Sequence, residues 1–475
     1  MTVAPSYLPT LPSEEAILRV LKTCLKSVQQ SDVAQIVSLS FDLPLVDPLA
    51  VLGAIASQQQ RQYYLESPAR GQAIAAWDSL IESTFQGNRR FQVAQQWIER
   101  WTRCLKPISV GAEQGNGPYF FCSFSFFDRV DEPQCSWAPG TVSLMRWQVV
   151  RRHQRCVLVA NVLLKPTTHL HYLAAGILQQ LRRVIRPWNC RVGRGSQAVQ
   201  GQVAPRLSEV EAIAFKDRVN QALLAIRQGE LQKQVVAHAI DVSSALPFQP
   251  IVSLHRLREQ HPDCYIFALM GAQPTAFIGA SPERLLSIRE GRLVTDALAG
   301  SAPRGATPLE DRRLAQQLLN TPKEQREHQL VRDFIVAQLS QEGLRAHYRD
   351  RPQVLKLSHI QHLHTPICAE VAETVSPLRF VEALHPTPAV AGVPTPIACD
   401  LIRNHEPCDR GLYAAPFGWI DSAGNSEFIV SIRSARLQGN SARLYAGAGI
   451  VEGSDPDREL VEIQLKLRAL AEVLG

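Results

Sequence analysis

The chain has no C-x-x-C pair, no run of five like charges and no stretch of eighteen apolar residues, although it is 475 residues long. The first absence argues against a zinc site or a disulfide frame. Its ten cysteines (Cys24, Cys104, Cys122, Cys135, Cys156, Cys190, Cys264, Cys368, Cys399 and Cys408) are scattered, several within apolar stretches such as Phe120-Phe-Cys122, and read as reduced core thiols. The second absence argues against nucleic acid: 50 Lys and Arg against 44 Asp and Glu give a net charge of +6, but the two signs are interspersed, which reads as solvation. The third leaves no candidate membrane span. The opening Met1-Thr-Val-Ala-Pro-Ser-Tyr7 lacks a basic segment followed by an apolar core, so a cytoplasmic location is expected. No internal repeat of 20–50 residues or low-complexity tract appears.

What is present suits a globular α/β protein: 45% of residues are hydrophobic and 20% charged. Residues 188–205 are polar and Gly-rich without periodicity and predict a linker or long surface loop, dividing the chain into 1–205 and 206–475. Before it, Tyr119–Phe126, Ser143–Val150 and Cys156–Leu164 are rich in aromatic and β-branched residues and predict strands, flanked by helical patterns at Ser13–Gln29 and Phe91–Leu105. After it, Ser208-Glu-Val-Glu211 is a capping box opening a helix that stops at Gly229, followed by a strand from Gln234 to Ile240. Thr321 is expected to cap a helix that has Pro322 in its first position and runs to about Leu339, and a last helix spans Asp455–Leu474.

Charged residues inside apolar, Gly-punctuated segments of the C-terminal half carry the chemistry, because burial there costs several kcal/mol unless a partner compensates. Lys233 heads an apolar strand, where half-burial would turn an ammonium toward a useful base. Glu283, in Gly279-Ala-Ser-Pro-Glu283-Arg-Leu-Leu286, is placed for desolvation to keep it protonated as a general acid. Glu459, Glu462 and Lys466 share one face of the last helix, and Glu327 lies on another helix; carboxylates from two helices are a common way to hold Mg²⁺. Taken singly, the last-helix charges and Lys233 read more readily as a solvated face and a strand-end charge, and it is their company that points to chemistry. The segment Ala446-Gly-Ala-Gly-Ile-Val-Glu-Gly-Ser454 reads as a loop between a strand at Arg443–Tyr445 and the last helix. Glu452 occupies a required glycine position and the Lys-Ser/Thr of a P-loop is missing, so neither nucleotide fingerprint applies.

Nine ordered segments (Gly229–Lys233, Gly279–Glu283, Ala297–Gly305, Glu327-His328, His385–Val390, Arg410–Tyr413, Ser431–Arg433, Ala446–Gly449 and Glu459–Lys466) resemble the chorismate-utilising enzymes, which include isochorismate synthase, anthranilate synthase component I, aminodeoxychorismate synthase component I and salicylate synthase. The resemblance covers roughly Ser208–Gly475 and implies a large layered α/β fold, two packed, mainly antiparallel sheets with helices outside. The N-terminal part would be the variable part of that fold, with Tyr63–Arg70 as an early strand and turn, and 206–475 the chorismate-binding catalytic region. Ala299 stands where aminodeoxychorismate synthases place a nucleophilic lysine, and His385-Pro-Thr-Pro-Ala-Val390 resembles the isochorismate branch.

The resemblance thus implies an isomerase that converts chorismate to isochorismate with Mg²⁺ as cofactor. Lys233 would deprotonate a water attacking C2 and Glu283 would protonate the departing C4 hydroxyl. Glu327 and Glu462 would ligate the metal with Glu459 supporting. Arg433, Tyr413 and Lys466, the amides of Gly447, Ala448 and Gly449, and Ala299, Gly300 and His385 would surround the substrate. No amidotransferase subunit, nucleic acid or membrane partner is expected, and the chain would be a monomer or weak homodimer feeding quinone synthesis. Salicylate synthase, anthranilate synthase component I and a catalytically silent chorismate-binding regulatory module remain open alternatives. Departures from the family pattern, His238 for Arg, Ser301 for Thr and Ala415 for Gly, bear on affinity more than on reaction class.

Overall fold

The computed structural model of the chain describes residues 11–56, 59–110, 117–129, 137–186, 207–271, 275–358, 360–372 and 375–474. The predicted linker at 188–205, Cys135 and Cys190 lie outside them. Among the described residues there are nineteen strands and eleven α-helices, a mixed α/β architecture built on a large antiparallel sheet.

The sheet forks at the long strand Gly140–Arg152. One edge of that strand pairs along its whole length with Gln72–Phe85, while its other edge is shared by Arg155–Leu164 and Tyr119–Phe124. From one branch the ladder runs through Gln62–Ser67, Tyr265–Met270, Thr275–Ser281, Ser434–Gln438 and Ser441–Val451 to Lys233–Ser243. From the other it runs through Pro416–Asp421, Ser426–Val430, Arg284–Arg289 and Arg292–Pro303 to Ile360–Glu370. Among the described residues every strand pairing is antiparallel except that of Gln35–Leu43 with Leu105–Ser109. The two expected sheets are therefore two arms of one hydrogen-bonded network, and strands from before the predicted linker, Gln62–Ser67 and Tyr119–Phe124, pair with strands from after it.

Side-chain alternation makes the two arms pack. Phe267 and Phe277 turn inward, and Phe417 of the other arm lies 5.4 Å from the Phe267 ring and 6.0 Å from the Tyr63 ring. Their neighbours Ile266, Ala268 and Ile278 turn to the opposite face, where the helices Glu14–Ser31, Leu170–Val184, Glu209–Arg227 and Pro456–Leu474 bury their apolar stripes. Burying these stripes from water is the main force holding helices to sheet.

The helix boundaries follow local chemistry. Ser208 accepts from Glu211 N while the Glu211 carboxylate accepts from Ser208 N, and Gly229 past the helix end has φ +78°, a backbone only glycine adopts without strain. Asp455 Oδ1 accepts from the amides of Asp457 and Arg458 to open the last helix, Pro456–Leu474. Two expectations are corrected. Thr321 does not cap with its side chain: its hydroxyl donates to Gln317 O at 2.7 Å, closing the preceding helix Pro308–Asn320 instead. The segment 446–451 is not loop but the second half of the strand Ser441–Val451, where Gly447 sits opposite Ala237 and Gly449 opposite Val235. Only residues 452–455 connect it to the last helix.

Candidate active site

A cleft, partly open to solvent, lies where the strands Lys233–Ser243 and Ser441–Val451 face the helices Pro322–Gln341 and Pro456–Leu474. Of the residues singled out in the sequence, Glu283, Ala299, Gly300, Glu327, Tyr413, Arg433, Gly447, Gly449, Glu459, Glu462 and Lys466 line it.

Lys233 lies immediately behind this wall. It is fully buried, not half-buried as expected, and its Nζ donates to Glu327 Oε1 at 2.9 Å. Gly449 makes that contact possible: a Cβ there would fall 2.4 Å from Glu327 Oε1 and 3.2 Å from Lys233 Cε. Glu283 follows Pro282 at the break between Thr275–Ser281 and Arg284–Arg289, and is 5% exposed. Burial pushes its carboxyl up to about 8, only partly opposed by the positive charge of nearby Lys233. Near neutral pH it therefore holds its proton.

Four carboxylates form the opposite wall. Glu324 and Glu327 are one turn apart on one helix, and Glu459 and Glu462 one turn apart on the other. Burial first, then repulsion from Glu327, raises Glu324 to about 7, and burial raises Glu459 against the pull of Lys323. Burial works against charge on Glu462 too, but the Lys466 ammonium, 2.7 Å away, holds it below the usual carboxylate range. Such hard oxygen donors with surplus negative charge fit Mg²⁺ in their chemistry. They are not yet a metal cage: among the described residues no three acidic, histidine or cysteine side chains converge on one point. Each of Glu327, Glu459 and Glu462 is turned instead to a lysine, Lys233, Lys323 and Lys466 respectively.

The third side is cationic. Arg433 adopts φ +50°, a left-handed conformation that costs a non-glycine residue of order 1 kcal/mol. Its carbonyl accepts from Ala280 N, and a Cβ on Gly279 would come within 2.7 Å of that oxygen, which explains the glycine. Its guanidinium donates to His362 Nε2 at 3.0 Å, and His362 Nδ1 lies 3.0 Å from Ser301 Oγ. Burial, followed by the Arg433 charge, keeps His362 well below its ordinary pKa, so the ring is neutral. Since arginine can only donate, Nε2 is the acceptor and Nδ1 carries the hydrogen. Lys466 also donates to Gly447 O at 2.8 Å, which places the polar backbone of Gly447 on the open edge of its strand, facing the cleft.

Two expected substrate contacts are corrected. His385 does not line the cleft; it packs edge-on to Phe91 and Phe126, its Nε2 lies 3.1 Å from Phe126 O, and burial lowers it to about 3. The His385–Val390 segment reaches the cleft through Ala389 and Val390 instead. Ala448, expected to offer its amide, does not line the cleft as Gly447 and Gly449 do, and its side chain lies in the helix-side core. Behind them, fully buried Arg410 grips Glu406 with Nε and Nη2 and donates to Val390 O and Val235 O, tying that segment to the Lys233 strand. Sequence reasoning missed Lys323, Glu324 and His362. The spacing of Glu324 three residues before Glu327, on the same helical face, was a usable signal for the second of these.

Comparison with known proteins is consistent across most of the chain. A profile of a family described as chorismate binding enzyme matches residues 20–475. A Pseudomonas aeruginosa protein named salicylate biosynthesis isochorismate synthase is 35% identical over 465 residues, covering 97% of this chain and 94% of its own. The Bacillus subtilis isochorismate synthase MenF is 30% identical over 462 residues, covering 95% and 96%. The solved structure of MenF, the menaquinone-specific isochorismate synthase from Escherichia coli, superposes with a TM-score of 0.75 at 26% identity over 96% of this chain and 100% of that one.

Proposed function

This chain belongs to the chorismate binding enzyme family, and we propose that it is an isochorismate synthase, an isomerase that exchanges a hydroxyl between two ring carbons of chorismate. Water adds at C2, the ring double bonds shift, and the C4–O bond breaks. One water enters and one leaves, so the net change is an isomerisation.

The observation that carries this reading is Glu283. A buried carboxyl bordering a polar cleft and still protonated near neutral pH is suited to give a proton to a departing hydroxyl, which leaves poorly as hydroxide. Lys233 takes the proton of the attacking water. Its resting partner Glu327, 2.9 Å from Nζ, holds the lysine in position, and the amine must be neutral when it acts. Arg433, held by His362, and Lys466 supply fixed positive charge for the substrate's two carboxylates, and Tyr413 closes the cleft beside Gly447. Ala299, 7% exposed on the cleft wall, offers no amine to compete with water for C2.

Glu327 and Glu462, with Glu459, are the residues that would hold Mg²⁺. The ion would supply positive charge that fixes the ring carboxylate and spreads the charge developing on it. Because water is the nucleophile, no amidotransferase partner is required. The product's use in quinone synthesis is our reading, on the likeness to the menaquinone-specific E. coli protein along nearly the whole chain.

Incubation of the purified chain with chorismate and Mg²⁺, followed by chromatography of the products, tests this reading. Isochorismate is the expected product. Salicylate with pyruvate, anthranilate on adding ammonium, or unchanged chorismate would each replace it with one of the alternatives.

A further inference from the structure

We propose that Lys323 is an internal counter-ion that competes with the divalent cation for Glu459, so that this lysine sets how tightly the catalytic metal is held. The inference rests on the magnesium reading above and adds a residue to it. Glu459 is 2% exposed, so its charge cannot be solvated by water and needs a cation beside it. In the structure that cation is Lys323, whose Nζ lies 2.9 Å from Glu459 Oε1 and 3.8 Å from Glu324 Oε1.

The three lysines of the acidic wall are not equivalent. Lys233 is fully buried and has nowhere to move, and Lys466 is anchored by a second bond to Gly447 O. Lys323 stands in the first turn of Pro322–Gln341, its side chain is 28% exposed, and its flexible stem lets the ammonium swing into water. A divalent ion arriving at Glu459 and Glu462 thus meets one ammonium able to leave, and its departure exchanges one cation for another without stranding a buried carboxylate.

The test is divalent-ion affinity measured without turnover. The purified full chain is titrated with Mg²⁺ by calorimetry and with Mn²⁺ by electron paramagnetic resonance, for the wild type, Lys323→Met, Lys323→Arg and Glu462→Ala, with thermal unfolding as the check on folding. Lys323→Met keeps the stem and removes the charge; it should bind either ion at least about tenfold more tightly, because a like charge no longer stands in the site. Lys323→Arg, with a forked donor on Glu459, should bind more weakly than the wild type. Unchanged or weakened binding in Lys323→Met, with a wild type that binds, overturns the role of Lys323 alone. A wild type that binds neither ion, or a Glu462→Ala variant that binds as well as the wild type, overturns the magnesium reading, and this inference with it.

Discussion

Lys233 Nζ donates to Glu327 Oε1 at 2.9 Å across 94 residues of chain, joining the strand Lys233–Ser243 to the helix Pro322–Gln341 beneath the cleft. The lysine side chain is fully buried and the glutamate side chain 13% exposed. Removing either partner therefore leaves the other as an uncompensated buried charge. Lys233→Ala should lower turnover by roughly two or more orders of magnitude, as loss of a general base commonly does, and lower stability by about 3 kcal/mol. Steady-state kinetics and urea unfolding measure the two effects; turnover near the wild-type rate would remove Lys233 from the chemistry.

Glu283 gives a pH dependence with a definite sign. Its carboxyl is raised from 4.5 to about 8 in the folded chain, so the acid form needed for catalysis is present below that value and lost above it. The profile of kcat/KM should fall on the alkaline side with an apparent pKa near 8, and Glu283→Gln should lose that limb along with about two orders of magnitude in rate. The same shift acts on folding. Because the folded pKa exceeds the unfolded one, stability is full below about 4.5 and declines as pH rises toward about 8. Glu283→Gln should flatten that decline in denaturant titrations at a series of pH values.

Gly449 tests the packing of the base. An alanine Cβ would sit 2.4 Å from Glu327 Oε1, and the glutamate, not the paired strand, is what must yield. Gly449→Ala should cut turnover by about a hundredfold by breaking the Lys233 contact, while far-ultraviolet circular dichroism stays that of the wild type. Full activity in this variant would show that the contact is dispensable.

His362 fixes the strained Arg433 through a neutral Nε2. His362→Ala should raise KM for chorismate about tenfold with a smaller change in kcat, and His362→Asn, which keeps an acceptor, should recover part of the loss. A fall in kcat alone would point to a role in the chemical step.

The parts of this fold legible in the sequence are those specified locally. The capping box at Ser208 and Glu211, the opening of the last helix at Asp455-Pro456 and the strands around Phe120 and Val157 each depend on a few adjacent residues, and each is present. Lys233 and Glu283 stood out because a charge in an apolar run needs a reason. What was not legible is pairing at long range. Lys323 and Glu324 look like ordinary first-turn charges until Glu459 and Ser301 N are brought beside them. His362 lies in a strand whose neighbours say nothing of Arg433, 71 residues away. The glycines at 447 and 449 suggested a loop, but strand pairing with Ala237 and Val235 outweighs their weak strand preference, and their missing side chains make room for Tyr413 and Glu327. His385 was expected beside the substrate on the family resemblance, yet an aromatic pocket takes it.

The most direct measurement is turnover of chorismate in oxygen-18 water, with the product analysed by mass spectrometry and its label located by fragmentation. If Lys233 activates a solvent water and Glu283 expels the original hydroxyl, every isochorismate molecule carries one solvent oxygen, at C2. Unlabelled product, as from a hydroxyl that migrates within the substrate, would contradict the account.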